Sequence, residues 1–294
     1  MALGQDGNQL VNLITLVAVV FVLLKFVFVI FKLTQLTEVD YKTNLFNKFI
    51  LPGSFGEFIK LPWTIITYMF VHDGLMRVLG NLLWLWAFGF ILQDLMGNKR
   101  IIPLFVYGGI IGGIFFILTH SLFFKGPAEF AMLEGSSPCI LAIALATTML
   151  APRYRIFPML NGGIPLWILT LIFVIIDFAS IPILNTPAQV AHAMGGITGI
   201  IFVHQLKRNR DLGAGLNFLF DSIGNLFNPA RKPERKEAQQ HFYKVGGTHP
   251  FKKVPNITQA RIDALLDKIS QKGYRSLSEE EKEILRRASE DDNL

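Results

Sequence analysis

The sequence predicts an all-α polytopic membrane protein: a six-transmembrane-helix bundle followed by a cytoplasmic helical tail. Three observations predict it. Apolar stretches of spanning length recur through the first two thirds of the chain, and about 20 mostly apolar residues suffice to cross a bilayer core. Charge is segregated: residues 1–206 hold 11 Lys or Arg and 9 Asp or Glu, whereas the last 88 residues hold 17 and 13. Mean hydropathy is +0.43 in spite of that polar tail. Together these exclude a disordered chain, a disulfide-stapled secreted mini-domain and an ordinary soluble enzyme. The single cysteine, Cys139, excludes an internal disulfide and any cysteine-cluster metal site.

The first expected span is Val11–Leu33, interrupted only by Lys25 and Lys32. Its polar N-terminal flank lacks Lys and Arg and no small-residue cleavage site follows, so it reads as an anchor and not a signal peptide. Leu75–Leu95, Ile101–His120, the short Ser137–Leu150, Leu166–Leu184 and Ala188–Leu206 complete six. Basic residues follow the even-numbered spans: Lys99 and Arg100, Arg153 and Arg155, then Lys207, Arg208 and Arg210. The third loop carries Lys125 alone, the fifth none, and the first mixes three lysines with acids. Basic loops stay in the cytoplasm, so both termini are placed there, in a bacterial inner membrane.

The fourth span matters most. Its 14 residues reach about 21 Å as a helix, against a hydrocarbon core of roughly 30 Å. Its outer end, at Ser137, is therefore expected below the outer surface, with the irregular segment Phe130–Ser136 at membrane depth. Such backbone is tolerated only against protein or water, which implies a cavity open to the outside.

Polar residues gather at that depth. Gly135-Ser136-Ser137-Pro138 opens the fourth span, putting Ser137 at the helix N-cap or first turn, where free N–H groups and the dipole favour an oxyanion. Pro138 fits the first helical position. His192 opens the sixth span and shares a face with Gly195 and Gly199. Those two glycines form a small-xxx-small pair, to which the fourth span offers Ala142, Ala144 and Ala146. Close packing would bring His192 to Ser137 as a general base. Taken alone, a Ser-Pro helix start and a lone intramembrane histidine have structural readings; it is their matching depth that suggests chemistry. Arg77 and Asn81, at i and i+4 of the second span, share a face, and the Asn81 amide can donate to an oxyanion. Asp177, inside the fifth span, could orient His192 in triad fashion but is read as mainly structural. Gly108, Gly109, Gly112 and Gly113 read as packing glycines, and Trp63, Tyr68 and Phe70 as an interfacial aromatic belt.

The chain order is Pro62-Trp63, then His72, Arg77 and Asn81, then Gly-x-Ser before a short span, then Ala-His-x-x-Gly-x-x-x-Gly at Ala191–Gly199. Over about residues 10–206 it resembles the rhomboid intramembrane serine proteases of the bacterial six-span type. The resemblance implies Ser137 as nucleophile and His192 as general base, then acid, with Asn81 and the Ser137 N–H forming the oxyanion hole. Two positions depart from the pattern: Pro138 stands where the family has Gly after the serine, and Arg77 stands where it has a histidine four residues before the asparagine. Arg77 and Gly135 are accordingly expected beside the oxyanion and substrate. The implied partners are transmembrane substrates and the lipid bilayer. No metal, organic cofactor or nucleic acid is implied. The alternative is a rhomboid-like pseudoprotease that binds membrane clients, an idea resting on Arg77 and Pro138. A small transporter fits less well, because no internal repeat is evident.

The expected organisation is a membrane domain at 1–206, a basic linker at 207–256 with an interfacial amphipathic helix at Ala214–Phe227, and a helical hairpin at 257–294. Gly273 would end the first hairpin helix, and Ser278 with Glu281 would cap the second. No catalytic constellation appears in the tail, whose partner the sequence does not name.

Overall fold

A computed structural model describes residues 8–124, 132–156, 163–182, 185–227 and 259–290. The protein is all-α, with several apolar helices. It divides into two compact units, 1–227 and 228–294.

Six principal helices build the first unit: α1 (Gln9–Leu33), α2 (Leu75–Met96), α3 (Ile101–Phe123), α4 (Ser137–Leu150), α5 (Leu166–Ser180) and α6 (Thr186–Lys207). Three of them, α1 to α3, are long and apolar enough by themselves to cross a membrane; α4 and α5 are shorter apolar helices. The expected bounds hold closely except for α5. It stops at Ser180 and not Leu184, because Ile181 precedes Pro182 and a residue before proline is driven out of the helical region. At the start of α6 the Asn185 side chain accepts from the Ala188 N–H at 3.3 Å, and Pro187 occupies the first turn, where its missing N–H costs nothing.

Helix α4 is the hub. Pro138 to Ala144, Ala146 and Thr147 are all buried on it, and α6, α3, α2 and α5 all pack against it. The approach of α6 is set by absent side chains. A Cβ on Gly195 would fall 2.3 Å from the Pro138 carbonyl oxygen, and one on Gly199 would fall 2.0 Å from that of Ala142. Helix α3 closes the group: a Cβ at Gly112 would meet the Ala191 carbonyl at 2.8 Å and Pro138 Cβ at 3.0 Å, and one at Gly108 would meet Ala142 Cβ at 2.5 Å. Of the three alanines expected to face the glycines, Ala142 does so. Pro138 is accommodated after the serine because Gly112 makes room for its side chain and Gly195 for its backbone.

Around this hub the remaining contacts fix depth. Strands β1 (Leu51–Pro52) and β2 (Met132–Leu133) pair antiparallel, which ties the segment before α4 to the first loop. At the opposite end of α4, Thr148 and Thr170 hydroxyls bond at 2.5 Å and link it to α5. Strands β3 (Arg155–Ile156) and β4 (Ile164–Pro165) form a second small pair there. Helix α1 is peripheral, burying Leu10, Leu13 and Val17. Its Lys25 pairs with Asp73, which Lys42 also reaches at 3.2 Å. The amphipathic helix α7 (Gly213–Phe227) follows; Arg100 pairs with Asp211 just before it, and Asn217 Nδ2 donates to the Lys99 carbonyl at 2.9 Å. Phe218 and Leu219 on it stay exposed.

The second unit contains α8 (Gln259–Lys272) and α9 (Glu279–Glu290) around Leu265, Leu277 and Ile284. Gly273, at φ 78°, ends α8. Ser278 Oγ accepts from the Glu281 N–H and Glu281 Oε2 from the Ser278 N–H, completing the expected capping box. The interior of the basic linker, the Lys125 loop and Phe130 lie outside the described residues.

The α4–α6 approach gives a matched pair of variants. Gly199→Val should cost about 3 kcal/mol or prevent folding, as overpacking against backbone does. Gly80→Ala, where nothing lies within 4 Å, should gain about 0.5–1 kcal/mol through helix propensity. Unfolding in detergent micelles reads both, and equal stabilities would contradict the packing described.

Candidate active site

Four helix ends converge on one cavity of about 390 Å³, lined by Asn81 of α2, Ser137 of α4, Asp177 of α5 and His192 of α6, with Arg77 and Glu134 at its side. Ser137 is the first residue of α4, with Ser136 as its N-cap and Pro138 second, one position later than expected. No acceptor takes the Ser137 N–H among the described residues, so this N–H and the helix dipole both remain available to negative charge. Gly135 supports that start. Its φ of 97° is a conformation that side chains rarely adopt, and its N–H donates to the Tyr68 carbonyl at 2.9 Å.

The Ser137 hydroxyl donates to Asn81 Oδ1 at 3.3 Å. Asn81 Nδ2 in turn lies 2.9 Å from His72 Nε2, which also takes the Ser136 N–H at 3.4 Å. Assigned from this network, His72 Nε2 is an acceptor and one N–H of Asn81 is committed to it. The second N–H of that amide is left for a ligand in the cavity. His72 is fully buried, and burial pushes its imidazole down to about 4, with the Arg77 charge acting the same way. It is therefore neutral at physiological pH and serves as an acceptor that aims Asn81.

His192 does not touch Ser137 by a hydrogen bond among the described residues; both side chains line the same cavity. Its Nδ1 is instead 2.6 Å from Asp177 Oδ2, and its ring forms a T-shaped contact with Phe178, centroids 6.4 Å apart. Arg77 points to the other wall and pairs with Glu134, directly before Gly135. Burial raises the Glu134 carboxyl and the Arg77 charge opposes that. The structure brings Ser137, His192, Asn81, Arg77 and Gly135, the residues singled out in the sequence, to one end of the bundle. Two partnerships went unread, His72 with Asn81 and Glu134 with Arg77. The pairing of Asp177 with His192, weighed in the sequence and set aside for a structural reading, is present; an intramembrane carboxylate is the signal that raised it.

The Rhomboid domain family matches residues 60–209, a stretch that holds all of these side chains. The chain belongs to the rhomboid family. It is similar to the Rhomboid protease GlpG of Yersinia pseudotuberculosis serotype I (strain IP32953), 25% identical over 158 residues, which is 54% of this chain and 52% of that protein. The Rhomboid protease GlpG of Yersinia pestis (strain Pestoides F) matches to the same extent, 25% over 158 residues. The chain spans about half the length of these curated relatives. Residues 251–291 match a separate family of unknown function, DUF6576, so the rhomboid domain here carries an appended unit.

The His72 network has a pH signature. Its folded imidazole ionises near 4 in place of the usual 6.5, so below about 6.5 the unfolded chain binds a proton that the folded protein does not. The stability contributed by neutral His72 is complete above that pH and declines as pH falls towards 4. The thermal unfolding midpoint should drop across that window, and the drop should be shallower in His72→Gln. An identical pH slope in the variant would contradict the assignment.

Proposed function

We propose that the protein is an intramembrane serine endopeptidase, cutting transmembrane or membrane-proximal segments with Ser137 and His192. The observation that carries this reading is the shared cavity: a serine on a free helix N-terminus and an oriented imidazole open onto one polar hollow inside an apolar bundle. Membership of the rhomboid family and similarity to proteins named Rhomboid protease support it.

The chemistry proceeds as follows. Rotation of Ser137 about χ1 moves its hydroxyl from Asn81 to His192 Nε2. The proton passes to that nitrogen as Oγ bonds to the scissile carbonyl carbon, and the carbonyl π electrons move onto oxygen. The Ser137 N–H and the spare Asn81 N–H hold the oxyanion. The imidazolium returns its proton to the leaving amine, the C–N bond breaks, and an acyl-enzyme remains. His192 then takes a proton from water as the water oxygen bonds to the ester carbonyl carbon; the C–Oγ bond breaks, the proton returns to Ser137 Oγ and the carboxylic acid product leaves. Arg77 carries a fixed charge, but its pairing with Glu134 offsets that charge and reduces its opposition to a nearby imidazolium. A substrate helix must unwind to present its backbone, so small or helix-breaking residues are expected at the cut. Basic loops after the even-numbered helices support a cytoplasmic placement of both termini in a bacterial inner membrane, with the site near the outer face.

A second reading, a pseudoprotease that holds membrane clients, is favoured by one observation: the resting Ser137 hydroxyl bonds Asn81 and not His192. The two readings separate on cleavage of a reconstituted single-span substrate. The protease reading expects cleavage by the wild-type chain, none by Ser137→Ala or His192→Ala, and a kcat lowered about 10²–10³-fold by Asn81→Ala. Binding without cleavage by the wild-type chain would support the pseudoprotease.

A further inference from the structure

Asp177 has no part in a two-residue mechanism, yet its carboxylate lies 2.6 Å from His192 Nδ1. The two side chains are only 4% and 7% exposed. Ser137, His192 and Asp177 come from three different helices, α4, α6 and α5, and all line the one cavity. We propose that Asp177 is a positioning residue that converts the serine and histidine into a Ser-His-Asp constellation. The inference rests on the protease reading for its kinetic consequence, though not for its geometry.

A neutral imidazole has one donor and one acceptor nitrogen, and a carboxylate only accepts. Asp177 therefore fixes the proton on Nδ1 and leaves the Nε2 lone pair for the Ser137 proton. Phe178 borders the imidazole in a T-shaped contact as well, and turning the imidazole would break the Asp177 bond. When Nε2 takes the serine proton the ring becomes a cation, with its Nδ1–H still on the carboxylate. In a site of low dielectric that pairing is stronger than in water.

The other charges in reach do not compete. Arg77 of α2 is paired with Glu134, Ser137 and Asn81 are neutral, and His120 of α3 stacks on Phe124 outside the cavity lining. Among the described residues, Asp177 is the one carboxylate within hydrogen-bond distance of His192. His192 is likewise the one side chain bonded to that carboxylate; Ser180 Oγ reaches only the Asp177 backbone carbonyl.

The test uses the full chain, reconstituted, in wild-type and Asp177→Asn forms. Asparagine keeps the volume while removing the charge. Cleavage kcat should fall about 10²–10⁴-fold with KM unchanged. A loss carried by KM with kcat unchanged overturns the proposal. Nitrogen-15 NMR of ring-labelled histidine supplies an arm that needs neither the variant to fold nor any activity. Wild-type His192 should carry its proton on Nδ1, and a proton on Nε2 overturns the proposal. A wild-type chain that cleaves nothing but shows the Nδ1 tautomer would defeat the protease reading and leave the Asp177 lock supported.

Discussion

The close backbone approach of α4 and α6 governs everything else in the membrane unit. Gly195 and Gly199 let the Pro138 and Ala142 carbonyls sit where side chains would otherwise stand. With lipid tails as apolar as leucine, helix association in a bilayer relies on packing of this kind and not on the hydrophobic effect. The approach sets the relative depth of Ser137 and His192, because each lies within one or two turns of a contact glycine or its partner. Helix α3 holds the same arrangement from a third side through Gly108 and Gly112. A buried, short α4 ringed by longer helices leaves its N-terminus inside the protein, and a cavity follows.

Electrostatics then divides the cavity into two walls. On one, neutral His72 aims Asn81, and Asn81 receives the Ser137 hydroxyl. On the other, Asp177 holds His192. The charge of Arg77 is matched by that of Glu134. The Ser137 hydroxyl is engaged with the Asn81 amide oxygen and lines the cavity that His192 also lines.

Much of this was legible in the sequence because the signals are local. The length of α4 followed from where the apolar run begins and ends, and the glycine pair from its spacing. The hairpin caps followed from Gly273 and the Ser278–Glu281 pattern. What was not legible lies between distant segments. Arg77 and Glu134 are 57 residues apart, and no periodicity joins them. A triad of Asp177 with His192 was raised and set aside, because the two are 15 residues apart on different helices and the family resemblance assigns Asp177 no role. The end of α5 was misjudged for a local reason, since hydropathy ran on through Ile181 while Pro182 had already stopped the helix.

The central claim is that Ser137 is an activated nucleophile facing an oxyanion hole built by its own N–H and by Asn81. An experimental structure of the chain after reaction with a fluorophosphonate tests this most directly. The account predicts phosphorus bonded to Ser137 Oγ, its anionic oxygen about 2.7–3.1 Å from the Ser137 nitrogen and Asn81 Nδ2, and His192 Nε2 turned to the adduct. An unmodified Ser137, or an adduct whose oxygen points away from both donors, would contradict it.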